Sequence, residues 1–135
     1  MASIAHKRPR PAALVVVALL FLLGGLAPFI GGSHVSTAGI GIFELVIGIG
    51  LLARKALARQ VALAIIYLAM AWTIIIAAML LIPNTEPIVG FGQWLWPHPI
   101  KLVGFIYTAV VLLLLVWQRH ILRRADVRSF FQSRE

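Results

Sequence analysis

Hydrophobic positions in this chain come in four long runs, roughly 12–31, 37–53, 61–82 and 99–117, and polar positions gather at the ends and joints between them. The runs are continuous and do not alternate with period two, so they read as helices and not as strands. A helix crosses a ~30 Å hydrocarbon layer with ~20 residues and a lower limit of about 17, which each run meets. In lipid only helices or closed barrels satisfy every backbone N–H and C=O. The pattern therefore predicts an all-α integral membrane fold, an up-down-up-down bundle of four transmembrane helices. The transmembrane domain covers 12–117, between a basic tail at 1–11 and a second at 118–135.

Local signals refine this layout. Pro11 suits the start of the first helix, and Gly24, Gly25 and Pro28 predict a kink near its far end. Gly31, Gly32 and Ser33 predict a tight turn that carries His34. In the second run Thr37, Gly41, Glu44 and Gly48 share one face by their spacing of three and four. Gly41 and Gly48 make that face a helix-packing surface, as do Ala69, Thr73 and Ala77 in the third run, because small residues let helices approach closely in lipid. The joint ARKALARQ is short, so the second and third helices are expected to be antiparallel neighbours. The outer loop 83–98, PNTEPIVGFGQWLWPH, is the one irregular segment of any size. Its prolines and glycines argue against regular helix, and Trp94 and Trp96 are rings suited to a membrane surface. Phe130 and Phe131 in the last tail suggest an interfacial helix.

Charge sets the orientation. Hydrophobic residues are 61% of the chain and charged residues 12%, with a net charge of +8. Lys7, Arg8 and Arg10 precede the first run; Arg54, Lys55 and Arg59 lie between the second and third; Arg119, Arg123, Arg124, Arg128 and Arg134 follow the fourth. With an even number of spans these segments share one side, and only Lys101 lies near the other. This positive-inside pattern predicts both termini on the cytoplasmic side of a bacterial-type plasma membrane. It reads as topology plus attraction to anionic lipids on that side, not as a nucleic-acid interface. The absence of cysteine excludes disulfides, thiol redox chemistry and Cys-bound metals.

Candidate chemistry centres on Glu44, the one carboxylate inside an apolar run. An ionised group there costs several kcal/mol unless it is compensated, which makes it a functional candidate by default; the competing reading is a structural, hydrogen-bonded glutamate. Lys101 is its expected partner, with His98 three residues earlier on the same side of the helix and His34 on the same outer side. For Lys101 the alternative is snorkelling to the headgroups, and for His98 a water-facing residue at the helix start. Together with Trp94 and Trp96, these residues predict a polar cluster under the outer loop that could hold a quinone headgroup. Haem needs axial ligands, usually His, and neither His34 nor His98 lies well inside a run. His6 and His120 are flanked by basic residues and read as solvated. No hydrolase, zinc-protease or phosphate-loop motif is present.

The segment FELVIGIGLLARKALARQVALAIIYLAMAWTI, with WPHPIKLVGFIY further on, resembles the DoxX-like family of small four-helix membrane proteins. The residues carrying the resemblance are Glu44, Gly48, Gly50, Arg54, Pro99 and Lys101; the Arg often seen near the start of the family's first helix is missing. The LLFLLGG and IGG stretches are similar to the membrane region of quinone-linked PQQ dehydrogenases, which typically has five spans where four are read here. Both resemblances imply a quinone-associated partner of a redox enzyme. The expectation is thus a small membrane subunit of a redox or respiratory-type complex, not an enzyme alone. It would anchor a partner and form a quinone-accessible site at the outer face. The competing expectations are a structural accessory subunit that packs on a larger membrane complex through its small-residue faces, and a small oligomeric transporter or channel.

Overall fold

The computed structural model describes residues 11–30, 35–84, 89–91, 94–96 and 101–132. Helix α1 (Ala12–Leu26) tightens into a 3-10 turn over Ala27–Phe29; α2 spans Val35–Leu52, α3 Ala56–Leu80, α4 Lys101–Arg123 and α5 Ala125–Gln132. Two short strands, β1 (Val89–Phe91) and β2 (Trp94–Trp96), pair antiparallel with Val89 opposite Trp96 and Phe91 opposite Trp94. The segment read as irregular thus contains a β-hairpin, and β1 contacts α4.

Pro11 stands at the N-cap of α1 with φ −58°, the value its ring imposes. The predicted kink is not what the glycine pair serves. The α-helix runs through Gly24 and Gly25 to Leu26, and the change to 3-10 geometry comes at Pro28, which has no N–H to offer. The glycines serve contact instead. A Cβ on Gly25 would lie 2.7 Å from the carbonyl oxygen of Gly41, and one on Gly41 would lie 2.6 Å from that of Gly25. A Cβ on Gly48 would meet Leu22 at 2.9 Å and the Ala18 carbonyl at 3.1 Å. The small face of α2 is therefore covered by α1 of the same chain at Gly41 and Gly48.

The α2–α3 joint is tighter than expected, because α3 begins at Ala56 and not near 61. Lys55 N–H donates to the Gly50 carbonyl at 2.9 Å, closing the end of α2, and Arg54 adopts φ +61° to allow it. A left-handed arginine costs roughly 1–2 kcal/mol. The Arg54 guanidinium lies 3.9 Å from the centroid of the Phe130 ring on α5, a contact that offsets part of this cost. Arg59, in the first turn of α3, donates to the Leu122 carbonyl of α4 at 3.2 Å. Across the other joint the Lys101 ammonium donates to the Ile82 carbonyl at 3.1 Å. These pairings make α3 and α4 antiparallel; the matched levels of Gly25 with Gly41 and of Ala18 with Gly48 do the same for α1 and α2. Contacts between α2 and α3, and between α1 and α4, bring the four helices together in one bundle.

The core sits at the basic end. Leu14, Val17 and Phe21 of α1, Ile47 and Leu51 of α2, and Ala62 and Ile66 of α3 meet Ile121 and Leu122 there. The fourth helix runs past Trp117 to Arg123 because Ile121 and Leu122 belong to this core. The tail expected at an interface instead folds back. Val127, Phe130 and Phe131 follow helical three-four spacing and are buried, so α5 plugs the end of the bundle. An Arg124–Asp126 ion pair at 3.3 Å sits at the corner between α4 and α5.

The outside of the bundle is apolar. Leu68, Trp72, Ile74, Leu102, Ile106 and Leu113 are all more than half exposed. Buried Thr73 and Thr108 satisfy their hydroxyls within their own helices, on the Ala69 and Gly104 carbonyls at 2.7 and 2.8 Å. An apolar outside, with these two hydroxyls satisfied within their own helices, suits a lipid solvent. Among the described residues three helices, Ala12–Phe29, Ala56–Leu80 and Lys101–Arg123, are long and apolar enough to cross a membrane, and Gly39–Leu52 forms a shorter apolar helix beside them. The chain is a helical, multi-pass membrane protein by this criterion.

Candidate functional site: a polar cleft between the four helices

Among the described residues, a cleft between the four bundle helices joins polar side chains from different helices. Its volume is about 180 Å³. Leu20, Phe21 and Gly24 come from α1, Glu44 from α2, Ile65, Ile66 and Ala69 from α3, and Leu115 and Gln118 from α4. The walls are apolar except for two groups, the Glu44 carboxyl and the Gln118 carboxamide.

Glu44 lies midway along α2 and is half-buried. Its carboxyl lies against α1 where Gly24 has no side chain: a Cβ there would stand 2.7 Å from Oε2. Gly24 thus makes room for the carboxyl, while Gly25, one residue on, makes room for the α2 backbone. Among the described residues no hydrogen bond or ion pair engages Glu44. Gln118 is 7% exposed and also lacks a side-chain partner among the described residues. Two polar groups that line one cleft leave donors and acceptors available to an occupant.

The expected pairing of Glu44 with Lys101 does not occur. Lys101 is exposed and engages the end of α3 through Ile82. It precedes Gln118 by 17 positions on α4, which at 1.5 Å per residue is about 25 Å along the axis. Glu44 shares Gln118's level, so lysine and glutamate sit at different depths. Lys101 serves as a cation at a helix C-terminus, where carbonyls lack partners. Trp94 and Trp96 form β2, on the Lys101 side of the bundle; His34 and His98 lie outside the described residues. Of the described side chains of the expected cluster, Glu44 lines the cleft and Lys101 does not. The helix-packing residues divide similarly: Gly41 and Gly48 contact α1, Ala69 lines the cleft, Thr73 is buried, and Ala77 is half-buried on α3.

Gln118 escapes a reading by hydrophobic runs because it falls one residue past the fourth run. A signal was nonetheless there. Leu115, Gln118 and Leu122 follow helical spacing, so a carboxamide continues an apolar stripe. Among the described residues no group of three His, Asp or Glu side chains gathers to hold a metal ion. No family model matches the chain, and neither a curated protein nor a solved structure does.

A cleft of this size takes a single ring. An engineered cavity of about 150 Å³ accommodates benzene, whereas sites for drug-sized ligands run to ~300 Å³ and more. Carboxyl and carboxamide together offer hydrogen-bond donors and acceptors from two helices against apolar walls.

Proposed function

We propose that the protein is a small four-span membrane subunit of a redox-type complex and that its Glu44–Gln118 cleft binds the carbonyl-bearing ring of a quinone. The observation that carries this reading is the meeting of a carboxyl and a carboxamide, each without a partner among the described residues, in a ring-sized, mostly apolar cleft. The Gln118 amide donates to one ring oxygen. Glu44, in its protonated form, donates to the ring as well and can return or pass a proton when a partner enzyme changes the ring's redox state. The apolar walls from Phe21, Ile66 and Leu115 suit the ring faces. The resemblance of the Glu44-containing segment to DoxX-like proteins points the same way. The proposed site lies between the helices of the bundle. The basic ends assign both termini to the cytoplasmic side of a bacterial-type plasma membrane, with α2, 18 residues long, as the fourth and shortest span. Such a subunit acts beside a larger membrane complex that supplies or takes the electrons.

The test is extraction of the protein from its native membrane in mild detergent, with analysis of co-purified lipids, followed by titration with short-chain quinones. Bound quinone is expected in the wild type. Gln118→Leu should weaken binding about tenfold, the effect of losing one buried hydrogen bond. Glu44→Gln should retain binding and lower turnover in the assembled complex. Absence of quinone from the extract, together with titrations that Gln118→Leu leaves unchanged, would refute the reading.

A further inference from the structure

A second polar cluster lies on the outside of the bundle, near its basic end. Tyr67 of α3 is 45% exposed. Arg119 of α4 donates from Nε to the Tyr67 hydroxyl at 2.9 Å, and its guanidinium carbon lies 5.2 Å from the ring centroid. Arg123 follows Arg119 by four positions, one helical turn further on along α4. Helix α4 thus sets one cation on the phenol of α3 and a second cation one turn away from it. Among the described residues neither arginine has a carboxylate partner. The described acids are engaged elsewhere: Glu44 lies in the cleft, and Asp126 pairs with Arg124.

This placement is unlike that of a solvated basic tail. Arg119 lies four residues before the last residue of α4, about 6 Å short of the helix end, with half-exposed Val116 and Trp117 just ahead of it on α4. A helical side chain leans toward its own N-terminus, so Tyr67 directs its hydroxyl toward the basic end, where Arg119 receives it. The phenol oxygen accepts from arginine, and its own O–H remains to donate. The guanidinium groups keep further N–H donors in a rigid fork that matches phosphate oxygens. An arginine this near the end of a membrane-length helix reaches the headgroup level with its long side chain, where bilayer phosphates lie.

We propose that Tyr67, Arg119 and Arg123 form a binding site for the phosphodiester of an anionic phospholipid in the leaflet at the basic end of the bundle. Two guanidinium charges against one phosphate favour a headgroup without a compensating cation. The site is a localised one: two of the arginines at this end carry the preference, while Arg128 on α5 does not. It is independent of the quinone reading and uses only the α3–α4 surface.

The full-length protein in mild detergent, mixed with equal amounts of phosphatidylglycerol and phosphatidylcholine, should retain phosphatidylglycerol preferentially in native mass spectrometry. Each arginine near a membrane surface contributes about a fivefold preference. Arg119→Gln should therefore lower the preference about fivefold, and the Arg119→Gln, Arg123→Gln double variant should abolish most of it. Tyr67→Phe removes a hydroxyl without changing charge or the apolar body of the ring, and should lower the preference about threefold. Arg128→Gln should leave it unchanged. Preference equal to wild type in both the double variant and Tyr67→Phe would overturn the proposal. Displacement of phosphatidylglycerol by millimolar inorganic phosphate would also overturn it, by showing a free-anion site and not a lipid site.

Discussion

Adding one methyl group to α2 should have opposite effects at two positions a half-turn apart. At Gly41 the new Cβ would stand 2.6 Å from the Gly25 carbonyl oxygen and 3.1 Å from both Pro28 and Phe29. Ordinary contact begins near 3.4 Å, so the α1 and α2 backbones must part by roughly 0.8 Å, and backbone cannot rotate away as a flexible side chain can. Overpacking of this kind costs about 1–3 kcal/mol, a shift of the folding equilibrium of about five- to 150-fold. At Gly39 a Cβ would meet nothing within 4 Å. There Gly39→Ala restricts the unfolded backbone and should be neutral or stabilising by up to about 1 kcal/mol. Unfolding of both variants in mixed micelles of increasing dodecyl sulfate fraction, followed by circular dichroism, gives the difference directly. Equal stability of Gly41→Ala and Gly39→Ala, or a more stable Gly41→Ala, would show that α1 does not approach α2 through these glycines.

Two further outcomes follow from the same packing. Phe130→Ala empties a buried site on α5 and removes the ring beneath Arg54; it should destabilise the protein by about 3–5 kcal/mol, measurable as a lowered thermal midpoint in detergent, and a loss below about 0.5 kcal/mol would mean that α5 is a detachable tail. Lys101→Gln should leave quinone affinity unchanged within about twofold in the titration described above, because about 25 Å separates Lys101 from the level of the cleft, and a tenfold loss would restore the outer-face site.

Hydrophobic runs and the distribution of arginine were enough to establish helices, their approximate limits and a membrane as their solvent. The reason is local: a helix in lipid satisfies its own backbone and needs only an apolar stretch of sufficient length. The place of Glu44 within an apolar helix and the small face at Gly41 and Gly48 were legible for the same reason, since spacing along one helix defines a face. Which helix covers that face was not legible. It depends on axial register between helices, and register comes from contacts such as Gly25 with Gly41 and Arg59 with Leu122, whose members are far apart in the chain. Register also separates Lys101 from Glu44 and brings Gln118 to it, although Lys101 is nearer to Glu44 in sequence. The burial of Val127, Phe130 and Phe131 has a similar origin. A short amphipathic helix offers the same apolar stripe to a bilayer surface or to the end of a bundle, and only the open end left by four packed helices decided between them.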